Sequence, residues 1–304
     1  MYDKMYDTII IGGGPAGLTA ALYCARASAK TLVFEGEGYG GQIAASPRVE
    51  NYPGFKAVSG NELTSYLYDQ ALEFGAETEY AAVEKVEATE EGFVVTADGN
   101  NYMAKTVIIA TGVKKRKLGL DNEEDLIGEG VSYCATCDGA FFKNMDVAVV
   151  GGGSTALTDA VFLAKYCRKV YLVHRRNEFR GEIRLVESLK KLSNVEFVLS
   201  CVPHKLVGTN SLEALEVKST EDESIRRLDV RGVFVAVGQI PDNEIFKDLI
   251  ELDQNGYIVA GEDCKTSRPG IYAAGDCRAK TVRQLTTATA DGTVAAVNAC
   301  EFVF

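Results

Sequence analysis

The strongest constraint on the fold is one glycine-turn pattern that the chain carries twice. Asp7-Thr8-Ile9-Ile10-Ile11 is a short β-rich run, followed by Gly12-Gly13-Gly14-Pro15-Ala16-Gly17 and an Ala/Leu-rich helical stretch to about Ser28. Asp146-Val147-Ala148-Val149-Val150 is a second such run, followed by Gly151-Gly152-Gly153-Ser154-Thr155-Ala156 and a helical stretch to about Cys167. Both read as strand, glycine turn, helix. The glycines allow a tight turn and close backbone approach, so that a pyrophosphate can sit on the helix N-terminus. One such loop alone could be a plain structural turn; the repeat argues for two dinucleotide sites.

The next element in each copy supports this. Thr31-Leu32-Val33-Phe34 is a second strand ending at Glu35, 23 residues after Gly12, and Lys169-Val170-Tyr171-Leu172-Val173 ends at His174, 23 residues after Gly151. That is the distance expected between the turn and the residue that reads a ribose. Glu35 suits an unmodified ribose, as in FAD or NAD. The second copy has His174-Arg175-Arg176 with Arg180 one turn on, and cationic donors would bind a 2′-phosphate that an acid would repel. A solvated basic patch is the plainer reading of the arginines; at this position they point to NADPH, and the first copy to FAD.

The duplication extends further. Thr106-Val107-Ile108-Ile109-Ala110-Thr111-Gly112 is matched by Gly232-Val233-Phe234-Val235-Ala236-Val237-Gly238, and a strand Gly270–Ala274 runs into Gly275-Asp276. The spacing predicts an α/β fold of two Rossmann-like dinucleotide-binding domains, the second inserted in the first. The FAD-binding domain would be 1–113 plus 243–304, and the NADPH-binding domain 114–242. Lys114-Lys115-Arg116-Lys117 reads as a solvated linker, and Glu221-Asp222-Glu223-Ser224 as a hairpin tip.

Composition removes other classes. Asp plus Glu is 43 against 32 for Lys plus Arg, a formal net charge of −11, so no nucleic acid partner is expected, because phosphate contacts need a basic face. Two histidines leave little for a metal site or a Ser-His-Asp triad. Residues 8–25 are apolar enough to pass for a signal peptide. However, Asp3 and Asp7 precede them where a basic segment belongs, and Gly12–Pro15 breaks them. A soluble cytoplasmic chain, with no membrane span, is expected.

Of eight cysteines, only Cys134 and Cys137 are close, in Cys134-Ala135-Thr136-Cys137-Asp138-Gly139. Half a zinc site would need a second Cys/His pair, and His174 and His204 stand alone. A redox dithiol needs only these two. Asp138 could give or take a proton as a thiolate forms or leaves, or could be a turn residue. Cys24, Cys167 and Cys201 read as small buried hydrophobes; Cys277, beside Asp276, could lie near the flavin, but a packing role is the favoured reading.

These motifs, in this order over the whole chain, resemble the low-molecular-weight, bacterial-type thioredoxin reductases. The CATC dithiol just ahead of the second glycine turn is the most specific part. The resemblance implies that Gly40-Gly41-Gln42 and Asn51 line the FAD and that Val83 meets the adenine by its backbone. It also implies that Arg283-Gln284-Leu285, after Gly275-Asp276, holds the isoalloxazine end. It further implies a homodimer, a thioredoxin or thioredoxin-like protein as partner, Cys137 facing the flavin, Cys134 attacking the partner disulfide, and Asp138 as the acid–base residue. Thr158-Asp159 stands where the family commonly has two glutamates, and Gly181 where alanine is usual.

Electrons would pass from NADPH through FAD and the Cys134/Cys137 dithiol to a thioredoxin disulfide. Dithiol and nicotinamide site share the second domain and both need the flavin of the first, so a hinge rotation near residues 113 and 243 is expected. The alternative is a ferredoxin-dependent flavin thioredoxin reductase with the same dithiol. The fingerprint and arginines of the second copy favour NADPH.

Overall fold

The computed structural model describes residues 5–304; Asp3 lies outside them. The chain forms two compact units, one comprising the N-terminal part up to Lys114 together with Ile240–Phe304, the other Lys115–Gln239. The return crossing thus falls three residues before the expected position. The reason is local: Asp242 pairs with Lys114 at 2.9 Å. Asn243 donates to Gly256 O and Cys277 O, both at 2.9 Å, which ties these residues to the first unit. The two crossings, Val113–Lys115 and Gln239–Pro241, pair as a two-stranded sheet.

The first unit is built on a seven-stranded sheet in the order Glu77–Tyr80, Thr31–Glu35, Met5–Ile11, Asn100–Ile109, Gly92–Ala97, Val83–Thr89, with Ile271–Ala273 also paired to Asn100–Ile109. The central strands are parallel, with Ile10 opposite Val33 on one side and Ile108 on the other. Strands covered on both faces need continuous apolar runs, which Ile9-Ile10-Ile11 and Val107-Ile108-Ile109 supply; all six are buried. The helix Pro15–Arg26 starts with Pro at its first turn, where a missing N–H costs nothing. It packs with Leu285–Val303 through Ala20, Cys24, Ala295 and Ala299.

The second unit repeats the plan. Its five-stranded parallel sheet runs Val195–Val198, Lys169–Val173, Asp146–Val150, Gly232–Val235, Val131–Ser132. In both units the strand before the glycine turn lies between the ribose-side strand and its duplicated partner. The helix Ser154–Leu163 ends short of the expected Cys167, in a turn where Cys167 N–H donates to Leu163 O. Cys201–Val207, Ala214–Ser219 and Ile225–Leu228 add an antiparallel sheet, with residues 221–224 at the tip between its last two strands. Among the described residues no helix is long and apolar enough to cross a membrane.

Candidate active site

Loops at the carboxyl ends of the first unit's parallel strands converge on one place. Gly12 N–H donates to Phe34 O and Ala110 N–H to Ile11 O, both at 2.8 Å. Gly12 has φ +110°, and a Cβ there would stand 2.4 Å from Ala110 O, so only glycine fits between the strands. Gly40 N–H donates to Gly13 O at 2.8 Å, and Gly275 lies against Ala16. Glu35 accepts from Gly13 N–H at 2.8 Å with one oxygen, and from Glu37 and Gly38 N–H with the other. Gln42 donates to Val113 O, and Asn51 to Gln284 Oε1 at 3.4 Å. Val83 begins an outer strand opposite Ala97.

The fit to a dinucleotide rests on the turn itself. The helix Pro15–Arg26 has no side-chain N-cap and no acid in its first turn, and neither has Ser154–Leu163. Their N-terminal N–H groups therefore need an external acceptor. The third glycine of each turn faces space: a Cβ on Gly14 would meet nothing closer than Gly41 Cα at 3.9 Å, and one on Gly153 nothing within 4 Å. No protein atom demands glycine at either position, so the room beside each helix end suits a pyrophosphate.

In the second unit His174 is buried and stacks on Phe179. A Cβ on Gly152 would strike its ring at 2.1 Å, and Nε2 lies 3.1 Å from Glu178 O. Burial, then the charges of Arg175, Arg176 and Arg180, push its pKa below the usual imidazole value. His174 thus supports the glycine turn as a neutral ring. Arg175, Arg176 and Arg180 are exposed, and among the described residues none forms an ion pair. Arg180 N–H donates to Gly152 O at 2.9 Å, which brings this segment to the turn. The departure at Gly181 has a steric account, since a Cβ there would be 2.5 Å from Leu157 Cδ1 and 2.8 Å from Ser154 N.

Cys134 and Cys137 form a disulfide, with Cα atoms 5.3 Å apart. Cys134 is the N-cap of the short helix Ala135–Asp138, and its Sγ accepts from Cys137 N–H at 3.2 Å. That N–H would equally stabilise a Cys134 thiolate. Burial raises the Asp138 carboxyl above the usual range, against Ser132's hydrogen bond and the Lys115 charge. An upward shift of this kind favours the protonated form, which suits a proton donor. Tyr133 donates to Glu123 at 2.6 Å, and Glu123 also accepts from Leu118 and Gly119 N–H at 2.8 Å, anchoring the dithiol segment to residues 118–119.

Burial disfavours the thiolate at three of the remaining cysteines. Burial pushes Cys167 and Cys277 up to about 11 and Cys264 up to about 12. Cys277 Sγ lies 3.3 Å from Ala274 O and 3.4 Å from Ile109 O, a packing role. Cys201 is only half-buried, unlike Cys24 and Cys167.

Burial also pushes Asp159 from 3.8 up to about 6. Between those values folding takes up a proton, so this group makes stability fall as pH rises through them, and the deficit is complete above about 6. Asp159→Asn should be more stable than the parent by about 3 kcal/mol at pH 8 and equal to it below pH 3.8. Thermal unfolding at both pH values checks this; a difference independent of pH would contradict it.

Three groups that hold the site were not singled out in the sequence. Asn243 accepts from Thr111 Oγ1 at 3.1 Å while holding Gly256 and Cys277. Asp291 takes Arg278 in a two-point contact at 2.7 and 2.9 Å and Lys280 at 2.7 Å, and accepts from Gly275 N–H at 3.0 Å. Ser132 bonds both Asp138 and Cys134. Asp291 did leave a signal, as the lone acid in residues 284–300.

Comparison with known proteins agrees with this arrangement. Residues 6–292 match the pyridine nucleotide-disulphide oxidoreductase family. A thioredoxin reductase of Listeria monocytogenes is 45% identical over 99% of this chain and 95% of its own. The crystal structure of thioredoxin reductase from Streptococcus pyogenes superposes with a TM-score of 0.94 at 39% identity, covering 98% of each chain. A ferredoxin-flavin thioredoxin reductase from Clostridium acetobutylicum gives 0.52 at 33% identity, over 98% of this chain and 97% of its own. The chain belongs to the pyridine nucleotide-disulphide oxidoreductase family and, within it, to the thioredoxin reductases.

Proposed function

We propose that this chain reduces a thioredoxin disulfide with electrons from NADPH, and that it works as a cytoplasmic homodimer. The observation that carries the reaction is the Cys134–Cys137 disulfide, set beside the half-buried Asp138 in a chain with two uncapped glycine-turn helices. Homodimer and location rest on the family likeness alone. The first cradle, from Gly12–Gly17, Glu35, Gly40–Gln42 and Ala110–Gly112 to Gly275-Asp276, would hold FAD. Gly153–Ala156 with Arg175, Arg176 and Arg180 would hold NADPH. When bound, the flavin supplies two-electron transfer between nicotinamide and disulfide.

The protein's own part is thiol exchange. Cys134 thiolate attacks the partner disulfide, joining one partner sulfur and releasing the other as a thiolate, which Asp138 protonates. Cys137 then attacks Cys134 Sγ, re-forming the Cys134–Cys137 bond and releasing the second partner thiol. The exposed, unpaired arginines give the donor test. Removing two charge-assisted contacts costs about 1.5–3 kcal/mol each. Arg175→Ala with Arg180→Ala should therefore raise KM for NADPH about 100-fold or more and leave NADH within about threefold. Equal losses with both donors would sink the 2′-phosphate reading.

A further inference from the structure

Ser132 ends the strand Val131–Ser132, is 4% exposed, and reaches the dithiol segment at two points. Its Oγ lies 2.6 Å from Asp138 Oδ2 and accepts from Cys134 N–H at 3.1 Å. A serine hydroxyl has one proton to give. Cys134 O, at 3.4 Å, is the other acceptor within reach, and the shorter, charge-assisted contact to the carboxylate takes the proton. With Oδ2 held in this way, Oδ1 is the oxygen left to carry the exchangeable proton of Asp138. We propose that Ser132 is a positioning residue for proton transfer at the dithiol: it aims the Asp138 carboxyl and couples it to the backbone of Cys134. The inference rests on the reading of Asp138 as the acid–base residue.

The surroundings leave Ser132 as the main local control. Lys115 lies over the Tyr133 ring at 5.1 Å and draws the Asp138 carboxyl toward ionisation. Asp159, on the helix packed against Ala135–Asp138, is shifted by burial alone. Glu123 is occupied by Tyr133 and two backbone N–H groups, and within the segment the Thr136 hydroxyl lies 3.4 Å from Cys134 Sγ. The hydroxyl favours ionised Asp138, so its removal raises the pH at which the carboxyl loses its proton.

The test is the pH dependence of a single turnover, in which reduced holoenzyme reduces a thioredoxin disulfide, together with infrared titration of the protonated carboxyl band that Asp138→Asn removes. In the parent the rate falls as pH rises through the Asp138 transition, and in Asp138→Asn this limb disappears. Ser132→Ala should move the limb and the infrared titration upward by about one pH unit and lower the plateau about tenfold. Ser132→Thr should restore both to within about twofold. If Ser132→Ala fails to retain flavin, Ser132→Cys, with a weaker donor, should show an upward shift of the same sign. An unmoved limb in Ser132→Ala or Ser132→Cys, with the limb abolished in Asp138→Asn, overturns the role of Ser132 and leaves the acid–base reading intact. A limb that survives in Asp138→Asn overturns both.

Discussion

Serine in place of Cys137 is expected to lower thioredoxin-disulfide reduction by about 10³-fold or more, while NADPH still bleaches the flavin. Exchange needs a second thiol to attack the mixed disulfide, and a serine hydroxyl cannot do so. The volume change is small, and the helix Ala135–Asp138 keeps its Cys134 cap, so the protein should stay folded and yellow. The same turnover loss is expected for Cys134→Ser, for a different reason. Cys137→Ser retains the attacking sulfur and should collect a covalent adduct with a thioredoxin disulfide, visible by mass. Cys134→Ser should collect none. Adducts in the reverse pattern would exchange the roles of the two cysteines, and turnover above about one tenth of the parent's in either variant would remove the dithiol from the mechanism.

The second large effect lies away from the reacting sulfurs. Asp291, Arg278 and Lys280 are buried together, with side chains about nine per cent exposed or less. Burial disfavours the Asp291 charge, but contact with Arg278 and Lys280 outweighs it, and the carboxyl stays below its usual range. Asp291→Ala leaves two buried cations without their anion, which costs about 3–5 kcal/mol, or roughly 10 °C in melting temperature. It also frees Gly275 N–H, the turn proposed to meet the flavin, so FAD should dissociate more readily. The contribution is present above 3.8 and is lost as pH falls through the lower folded value. Thermal unfolding and flavin retention after gel filtration read both effects. A loss under about 1 kcal/mol would mean the cluster is solvated and weak.

What the sequence made legible follows from the physics of each feature. Both glycine turns are local: a strand, a turn that only glycine can make at Gly12, and a helix all lie within one short stretch. Duplication let each copy check the other, so the parallel sheets and the inserted order could be read without contacts. The dithiol was legible for the same reason, its two cysteines being three residues apart. Asn243 was not, because its partners Thr111, Gly256 and Cys277 are joined only by folding. Ser132 looked like any strand-end serine until the chain turned Asp138 back onto it. His174 shows the opposite limit: its position in the pattern was plain, but only the structure showed its ring under Gly152.

The account stands most directly on an anaerobic titration of the purified yellow protein, following the flavin band as NADPH, NADH and reduced ferredoxin are added separately. Flavin plus disulfide hold four electrons, so NADPH should bleach the band completely with about two equivalents in the parent and about one in Cys137→Ser. NADH should be much weaker. Bleaching by ferredoxin alone, or the same single equivalent in parent and variant, would contradict the path from NADPH through the flavin to Cys134–Cys137.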